Sequence, residues 1–423
     1  MSKDVFCINR SCLQNEPWRY VHYGWVVIIM GLLTTLGAHG FGRFAYSMIN
    51  PSMISGLGLS YTQVGTLATG NSIGYLVLAI VGGFLATQFG TRFVISLSLA
   101  LMGITMILTG MARTYNFALA MRILTGLGHG GAFVPALALG SIWFSKRRRG
   151  FATGIVMAGA GIGFALSGML VPRILSSYGR DGWRYCWYYL GLFVLLLSCL
   201  AYVSIRNRPE DLGLKPFGFK KADAGESGEL KWKEIYKIGS LWRLGAVYFM
   251  FGFSYIIYFN FFGTFLVKEI GWTHEQTGRL FTVSGVFSIF CSLLWGYLSD
   301  LIGRKGGATI AFLILAVSYG IFALLHSAVA YYVSAILFGL TVWSIPTIMA
   351  AAAGDYAGPK LAPAGLGFIT LFFGIGQAIG PAIGGFITDF RGSFTLSFQL
   401  AAWVSLGGIV GLLTLKNPQI DRS

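Results

Sequence analysis

Twelve stretches of about twenty mostly apolar residues recur along the 423-residue chain, at about 23–46, 61–86, 92–112, 116–142, 150–173, 184–204, 241–266, 275–298, 306–326, 328–352, 363–388 and 394–415. Each is long enough to cross about 30 Å of hydrocarbon as an α-helix. One soluble core could not absorb them, since single cores stop growing near about 250–300 residues. Only 11% of the residues are charged, where soluble chains carry roughly 25%. The predicted fold is an all-α membrane protein of twelve helices. Soluble enzymes, collagens, disordered chains and disulfide scaffolds are excluded.

The polar remainder sets the expected organisation. A terminus at 1–22 precedes six spans within 23–204, a basic segment follows at 205–240, and six more spans within 241–415 lead to a second terminus at 416–423. The middle segment holds Arg206, Arg208, Lys215, Lys220, Lys221, Lys231, Lys233 and Lys237 and reads as a linker, with a short surface helix near Trp232. Lys and Arg are retained on the cytoplasmic side of membrane proteins. Placing Lys146-Arg147-Arg148-Arg149, the linker, Arg304-Lys305 and both termini inside satisfies that rule, so both chain ends are expected in the cytoplasm. The net charge of +16 then needs no nucleic-acid partner. The first twenty residues are polar and the run after Tyr23 is full length, so no cleavable signal is expected. Cys7, Cys12, Cys186, Cys199 and Cys291 are an odd set without metal spacing and are read as free thiols.

An internal repeat is the strongest organisational signal. Shifting the first half by 213 residues aligns Ser60-x-x-Gln63 with Thr273-x-x-Gln276, each a capping box opening a helix. The same shift aligns Gly65 and Leu67 with Gly278 and Leu280, Gly83, Leu85, Gly90 and Arg92 with Gly296, Leu298, Gly303 and Lys305, and Gly126-Leu127 with Gly339-Leu340. Two parallel halves related by an axis along the membrane normal are a transporter architecture.

Gly296-Tyr297-Leu298-Ser299-Asp300-Leu301-Ile302-Gly303-Arg304-Lys305 resembles the signature loop of the major facilitator superfamily at nearly every position. The resemblance implies two pseudo-symmetric six-helix bundles, with Gly296, Asp300, Gly303, Arg304 and Lys305 forming a cytoplasmic gate. In the first half Thr87 stands where the acid belongs, so a charge latch is expected in the second half only. Arg122-x-x-x-Gly126-x-Gly128 is similar to the family's second motif. The fifth span, with Gly154, Gly159, Gly161, Gly163 and Gly168, is similar to its third but lacks the central proline. His22-Tyr23-Gly24-Trp25, Gly182-Trp183-Arg184 and Arg208-Pro209-Glu210-Asp211-Leu212-Gly213-Leu214 resemble the organic-anion branch of oxalate/formate antiporters and monocarboxylate transporters. Gly42-Arg43-Phe44-Ala45-Tyr46 resembles a poorly characterised bacterial subfamily near it.

A charge at the centre of a membrane helix costs about 2.5–3.5 kcal/mol, so such residues are functional candidates. Arg43 lies deep in the first span with His39 four residues earlier, and is read as the partner of an anionic group through its two-pronged guanidinium. Arg122 and His129 share a stripe of the fourth span. Arg279 is expected near the mouth of the cavity. Polar and aromatic candidates are Tyr46, Asn71, Tyr75, Tyr255, Tyr258, Asn260, Trp343 and Gln377. The substrate-binding set is Arg43, His39, Tyr46, His129, Asn71, Tyr258, Asn260, Trp343 and Gln377, and the proton-coupling candidates are His39, His129 and Arg122. No carboxylate falls in a helix centre, which disfavours cationic substrates.

There is no phosphate loop, two-histidine metal spacing or nucleophile elbow, so no enzyme activity, metal or cofactor is expected. The resemblance implies a monomeric secondary transporter in a bacterial inner membrane. It would carry a small organic anion such as a mono- or dicarboxylate, with proton coupling or exchange. Efflux of hydrophobic or cationic compounds and a non-transporting receptor on the same scaffold are the competing readings.

Overall fold

The computed structural model describes residues 22–145, 148–218, 232–358 and 361–415. The expectations for both termini, Cys7, Cys12, Lys146, Arg147, Lys220, Lys221 and Lys231 lie outside the described residues.

In the first half α1 runs Gly24–Leu57, α2 Tyr61–Phe89, α3 Thr91–Gly110, α4 Tyr115–Trp143, α5 Arg149–Tyr178 and α6 Gly182–Ser204. In the second, α7 runs Gly239–Glu269, α8 His274–Ile302, α9 Arg304–Leu324, α10 Ala328–Ala357, α11 Ala362–Arg391 and α12 Thr395–Leu413. Ten segments of the described chain are long and apolar enough to cross a membrane. One of them, Arg149–Ser204, is the pair α5 and α6 joined by a 3-10 turn at Gly179–Asp181, and α8 passes the same test as a helix bent by 46°.

The repeat is built into the backbone. Ser60 Oγ accepts from Gln63 N at 3.2 Å and Thr273 Oγ1 from Gln276 N at 3.1 Å, while each glutamine side chain accepts from the cap's own N–H. Thr114 and Ser327 cap α4 and α10 with their side-chain oxygens alone, accepting from Phe117 N and Ala330 N. Gly58 and Gly271, Gly90 and Gly303, and Gly179 and Gly392 all hold positive φ, a conformation that favours glycine. The offset seen in the sequence therefore governs helix starts and stops beyond the stretch where side chains match.

The first span differs from its sequence reading in length. It continues past residue 46 and through Pro51 to Leu57. Proline removes one helix hydrogen bond, but here α1 is tied to α7: Ser47 Oγ donates to Phe259 O at 2.6 Å and Asn50 Nδ2 to Asn260 O at 3.2 Å. Leu36–Phe44 within α1 is π-helical, and α10 breaks at Val342–Trp343. Such irregularities in a membrane helix occur where it lines a cavity or protein rather than lipid.

Glycine sets the spacing of α2 and α4. A Cβ on Gly126 would lie 2.0 Å from Asn71 O, and one on Gly130 2.3 Å from Tyr75 O. Only hydrogens fit there, so the backbones approach closely and bring Asn71 and Tyr75 beside Arg122 and His129. The linker begins with a 3-10 turn at Pro209–Leu212, and Phe217 pairs with the end of α4, its N–H donating to Trp143 O at 2.8 Å. The helix expected near Trp232 is a 3-10 helix, Trp232–Lys237.

Candidate functional site

The π-helical stretch of α1 places His39 and Arg43 in the interior, and α4 brings Arg122 and His129 against it; all four are buried. Among the described residues no Asp or Glu is buried. The interior therefore holds two guanidinium groups without a carboxylate.

Arg43 reaches across to the second half. Its Nη2 donates to Gln377 Oε1 at 2.5 Å, and Gln377 Nε2 donates to Tyr255 Oη at 2.7 Å. The guanidinium carbon lies 5.6 Å from the Tyr75 ring centroid. Arg122 is held within the first half: its Nη1 donates to Gly42 O at 3.0 Å, and it lies 4.7 Å from the Tyr46 ring and 4.9 Å from the Trp187 ring. Tyr46 Oη donates to Val64 O at 2.8 Å and Asn71 Nδ2 to Arg122 O at 3.2 Å.

These groups surround a cavity of about 10 Å³, roughly the space of one water molecule, lined by Arg43, Tyr46, Asn71, Arg122, Ile256 and Asn260 among others. Arg122 Nε and Asn260 Nδ2 are buried there without a hydrogen-bond partner. Buried donors normally find acceptors, so both are free to meet an acceptor that enters.

His39 and His129 lie beside this cavity, with His129 Nε2 2.8 Å from His39 Nδ1. The Trp343 ring, in the break of α10, lies 6.1 Å from His39 and is stacked on Phe44 at 5.6 Å. Tyr258 is placed apart: its Oη is 2.8 Å from Ser334 Oγ, and its ring packs on Tyr319, Phe322 and Phe338. Arg279 pairs with Glu275 on the exposed start of α8 at 2.7 Å.

Sequence reasoning passed over Ala68, Ser72 and Ile256 in the lining and Asn50 beside Asn260. Ala68, Asn71, Ser72 and Tyr75 stand at i, i+3, i+4 and i+7 of one helix face, a stripe legible once α2 is read as a helix. Asn50 was hidden because the first span was ended before it.

Among the described residues, hydrogen bonds between the halves lie from the level of Arg43 toward one end of the bundle. There Asp389 on α11 accepts from Tyr61 N at 2.9 Å, Thr62 N at 2.7 Å and Thr62 Oγ1 at 2.5 Å. Lys268 Nζ donates to Ser55 Oγ at 2.5 Å, and Ser52 Oγ is 3.3 Å from His274 Nε2. At the other end Arg304 pairs with Asp300 and, at 3.2 Å, with Asp355, while Lys305 Nζ donates to Leu413 O at 3.0 Å. Gly303 makes the turn that starts α9, and Gly296 faces Thr347. In the first half Arg92 Nε instead donates to Tyr202 O at 2.6 Å, and the Arg92 backbone N–H donates to Asn207 Oδ1 at 2.9 Å.

A family model described as "Uncharacterised MFS-type transporter YbfB" matches residues 35–412. Among curated proteins, the "Probable sulfoacetate transporter SauU" of Cupriavidus necator is 25% identical over 406 residues, covering 89% of this chain and 91% of that protein. The hexuronate transporter of Bacillus subtilis is 22% identical over 265 residues, covering 62% of this chain and 61% of its own length. Among solved structures, an inward-facing bacterial homologue of the human lysosomal transporter Spinster superposes with a TM-score of 0.72 at 18% identity, covering 93% of this chain and 95% of that one. The nucleoside transporter NupG (D323A mutant) gives 0.72 at 14% identity, with 92% and 99% covered. The latter two establish the fold. The match across nearly all of the described helices is decisive: the chain is a multi-pass membrane protein that belongs to the MFS-type transporter family.

Proposed function

We propose that this protein carries a small organic anion across a bacterial inner membrane, binding it between the halves at Arg43. The observation that carries this reading is the pair of buried guanidinium groups, Arg43 and Arg122, at a cavity with no acid beside them. Arg43 is held by a neutral amide, which a carboxylate or sulfonate outcompetes through charge-assisted, two-pronged bonding. Asn71, Asn260 and Arg122 Nε supply further donors, so a substrate with two acidic ends engages both arginines. Relatives named for sulfoacetate and hexuronate support the same chemistry.

The cavity holds only about one water, so the substrate enters by parting Arg43 from Gln377. Alternating access then follows from rocking residues 23–204 against 241–415, with 205–240 as the tether and both termini cytoplasmic. In that orientation the Asp389 end is the outer one, sealed here, and the Arg304 loop faces the cytoplasm as a gate. The protein acts as a monomer.

The test is uptake of labelled sulfoacetate and galacturonate by the purified protein in liposomes. Arg43→Ala is expected to lose uptake at least tenfold, since a hydrogen bond to a charged group contributes about 1.5–3 kcal/mol. Wild-type uptake by that variant refutes the assignment.

A further inference from the structure

The two histidines beside the anion site form a pair of their own. His129 Nε2 and His39 Nδ1 are 2.8 Å apart, and His129 is wholly buried. One proton occupies that bond, so one ring donates and the other accepts. His129 Nδ1 has no partner. When His129 Nε2–H is the donor, Nδ1 is a bare lone pair at which a second proton can add while the bond between the rings stays intact.

The surroundings decide what such a proton needs. On α1 the charged neighbour is Arg43, and on α4 it is Arg122. From α2 the Tyr75 ring lies 4.6 Å from the His129 ring and 5.6 Å from the Arg43 guanidinium, so one ring separates His129 from Arg43. Tyr46 of α1 stacks on Arg122, and Tyr255 of α7 stands behind Gln377. From α10 comes Trp343, whose backbone N–H donates to Cys291 Sγ of α8 at 3.2 Å. α3 presents Ser98 and Met102 to the glycines around His129, and α5 presents Phe164 to Phe44. None of these groups is a carboxylate.

We propose that the His39–His129 pair is a proton-binding site tied to an anion on Arg43, so that one proton accompanies each anion. The proposal rests on the anion reading above and adds its driving force. A proton on the pair would be a third positive charge in a buried site that already holds two, and an unpaired buried charge is costly. An anion at Arg43 offsets it. By linkage the proton then strengthens anion binding by the factor with which the anion strengthens proton binding. The N–H bond formed at His129 on the side of entry breaks on the side of release, and nothing else is consumed.

The experiment uses the full chain in liposomes containing a fluorescent pH indicator, with labelled sulfoacetate outside. The expected ratio is about one proton per anion for the wild type, falling to near zero in His129→Gln and His39→Asn; a ratio does not depend on how fast either variant turns over. A second measurement uses the wild type in detergent. Sulfoacetate affinity is expected to weaken toward about tenfold per unit of rising pH when one proton binds with the anion, over a range where the ligand's own carboxyl is already ionised. Sulfoacetate transport without proton entry, or variants that keep a ratio near one, overturns the proton site. Absence of both sulfoacetate binding and transport in the wild type overturns the anion reading itself.

Discussion

Arg43 of α1 and Gln377 of α11 face each other across the two halves, with the arginine Nη2 2.5 Å from the amide oxygen. The bond is neutral and buried, and in the proposed function an anion takes the place of the amide on Arg43. Gln377→Glu puts a permanent carboxylate in that place. It is expected to weaken sulfoacetate binding at least tenfold, while Gln377→Ala, which removes the competitor, strengthens it by about fivefold, the equivalent of one ordinary hydrogen bond. Calorimetric titration of the two variants gives the signs; the same direction of change in both contradicts the competition.

Asp389 closes the far end of the interface by accepting three bonds from the first residues of α2. A carboxylate at a helix N-terminus is favoured by the helix dipole, and this one joins the two halves. Asp389→Asn is expected to shift the population toward separation at that end by about two- to fivefold, modest because the group is exposed. Spin labels at Arg113→Cys and Val329→Cys, on opposite halves, report it as a longer distance component. An unchanged distance distribution would show that the seal lies elsewhere.

Much of the frame was legible in the sequence. Ser60 and Thr273 declared two helix starts, and the constant offset declared the duplication. What could not be read was pairing at long range. Gln377 was selected as a buried amide, yet its partner lies 334 residues away, and no periodicity encodes that. Helical spacing also fails to say which neighbour a face meets: Tyr258, chosen among cavity aromatics, packs within the second half against Ser334 and Phe338. Pro51 lies beyond the span of 23–46 expected from hydropathy, yet the helix runs through it, supported by side-chain bonds from Ser47 and Asn50 to α7.

The glycines of the fifth span looked equivalent, and their surroundings separate them. A Cβ on Gly159 would meet Leu32 O at 2.1 Å, whereas one on Gly154 meets nothing within 4 Å. Gly159→Ala is expected to destabilise the protein by about 1–3 kcal/mol through overpacking. Gly154→Ala is expected to be neutral or slightly stabilising, because alanine is the better helix former. Thermal unfolding in one detergent compares them directly, and equal Tm values would contradict the packing of α1 on α5.

Arg43 and Arg122 line the same cavity but are held differently, and a stability measurement separates their roles. Arg122 lies close to the rings of Tyr46 and Trp187 and donates to Gly42 O, joining α1, α4 and α6. Arg43 makes its one side-chain hydrogen bond to Gln377, on the partner half. Removing Arg122 strips a buried carbonyl of its donor and leaves a void between two aromatic rings; large truncations of this kind cost about 2–5 kcal/mol. Arg122→Ala is therefore expected to lower Tm clearly, and Arg43→Ala to change it little while losing the stabilisation that sulfoacetate confers on the wild type. If Arg43→Ala unfolds as readily as Arg122→Ala, Arg43 is a packing residue, and its guanidinium is not held in reserve for a ligand.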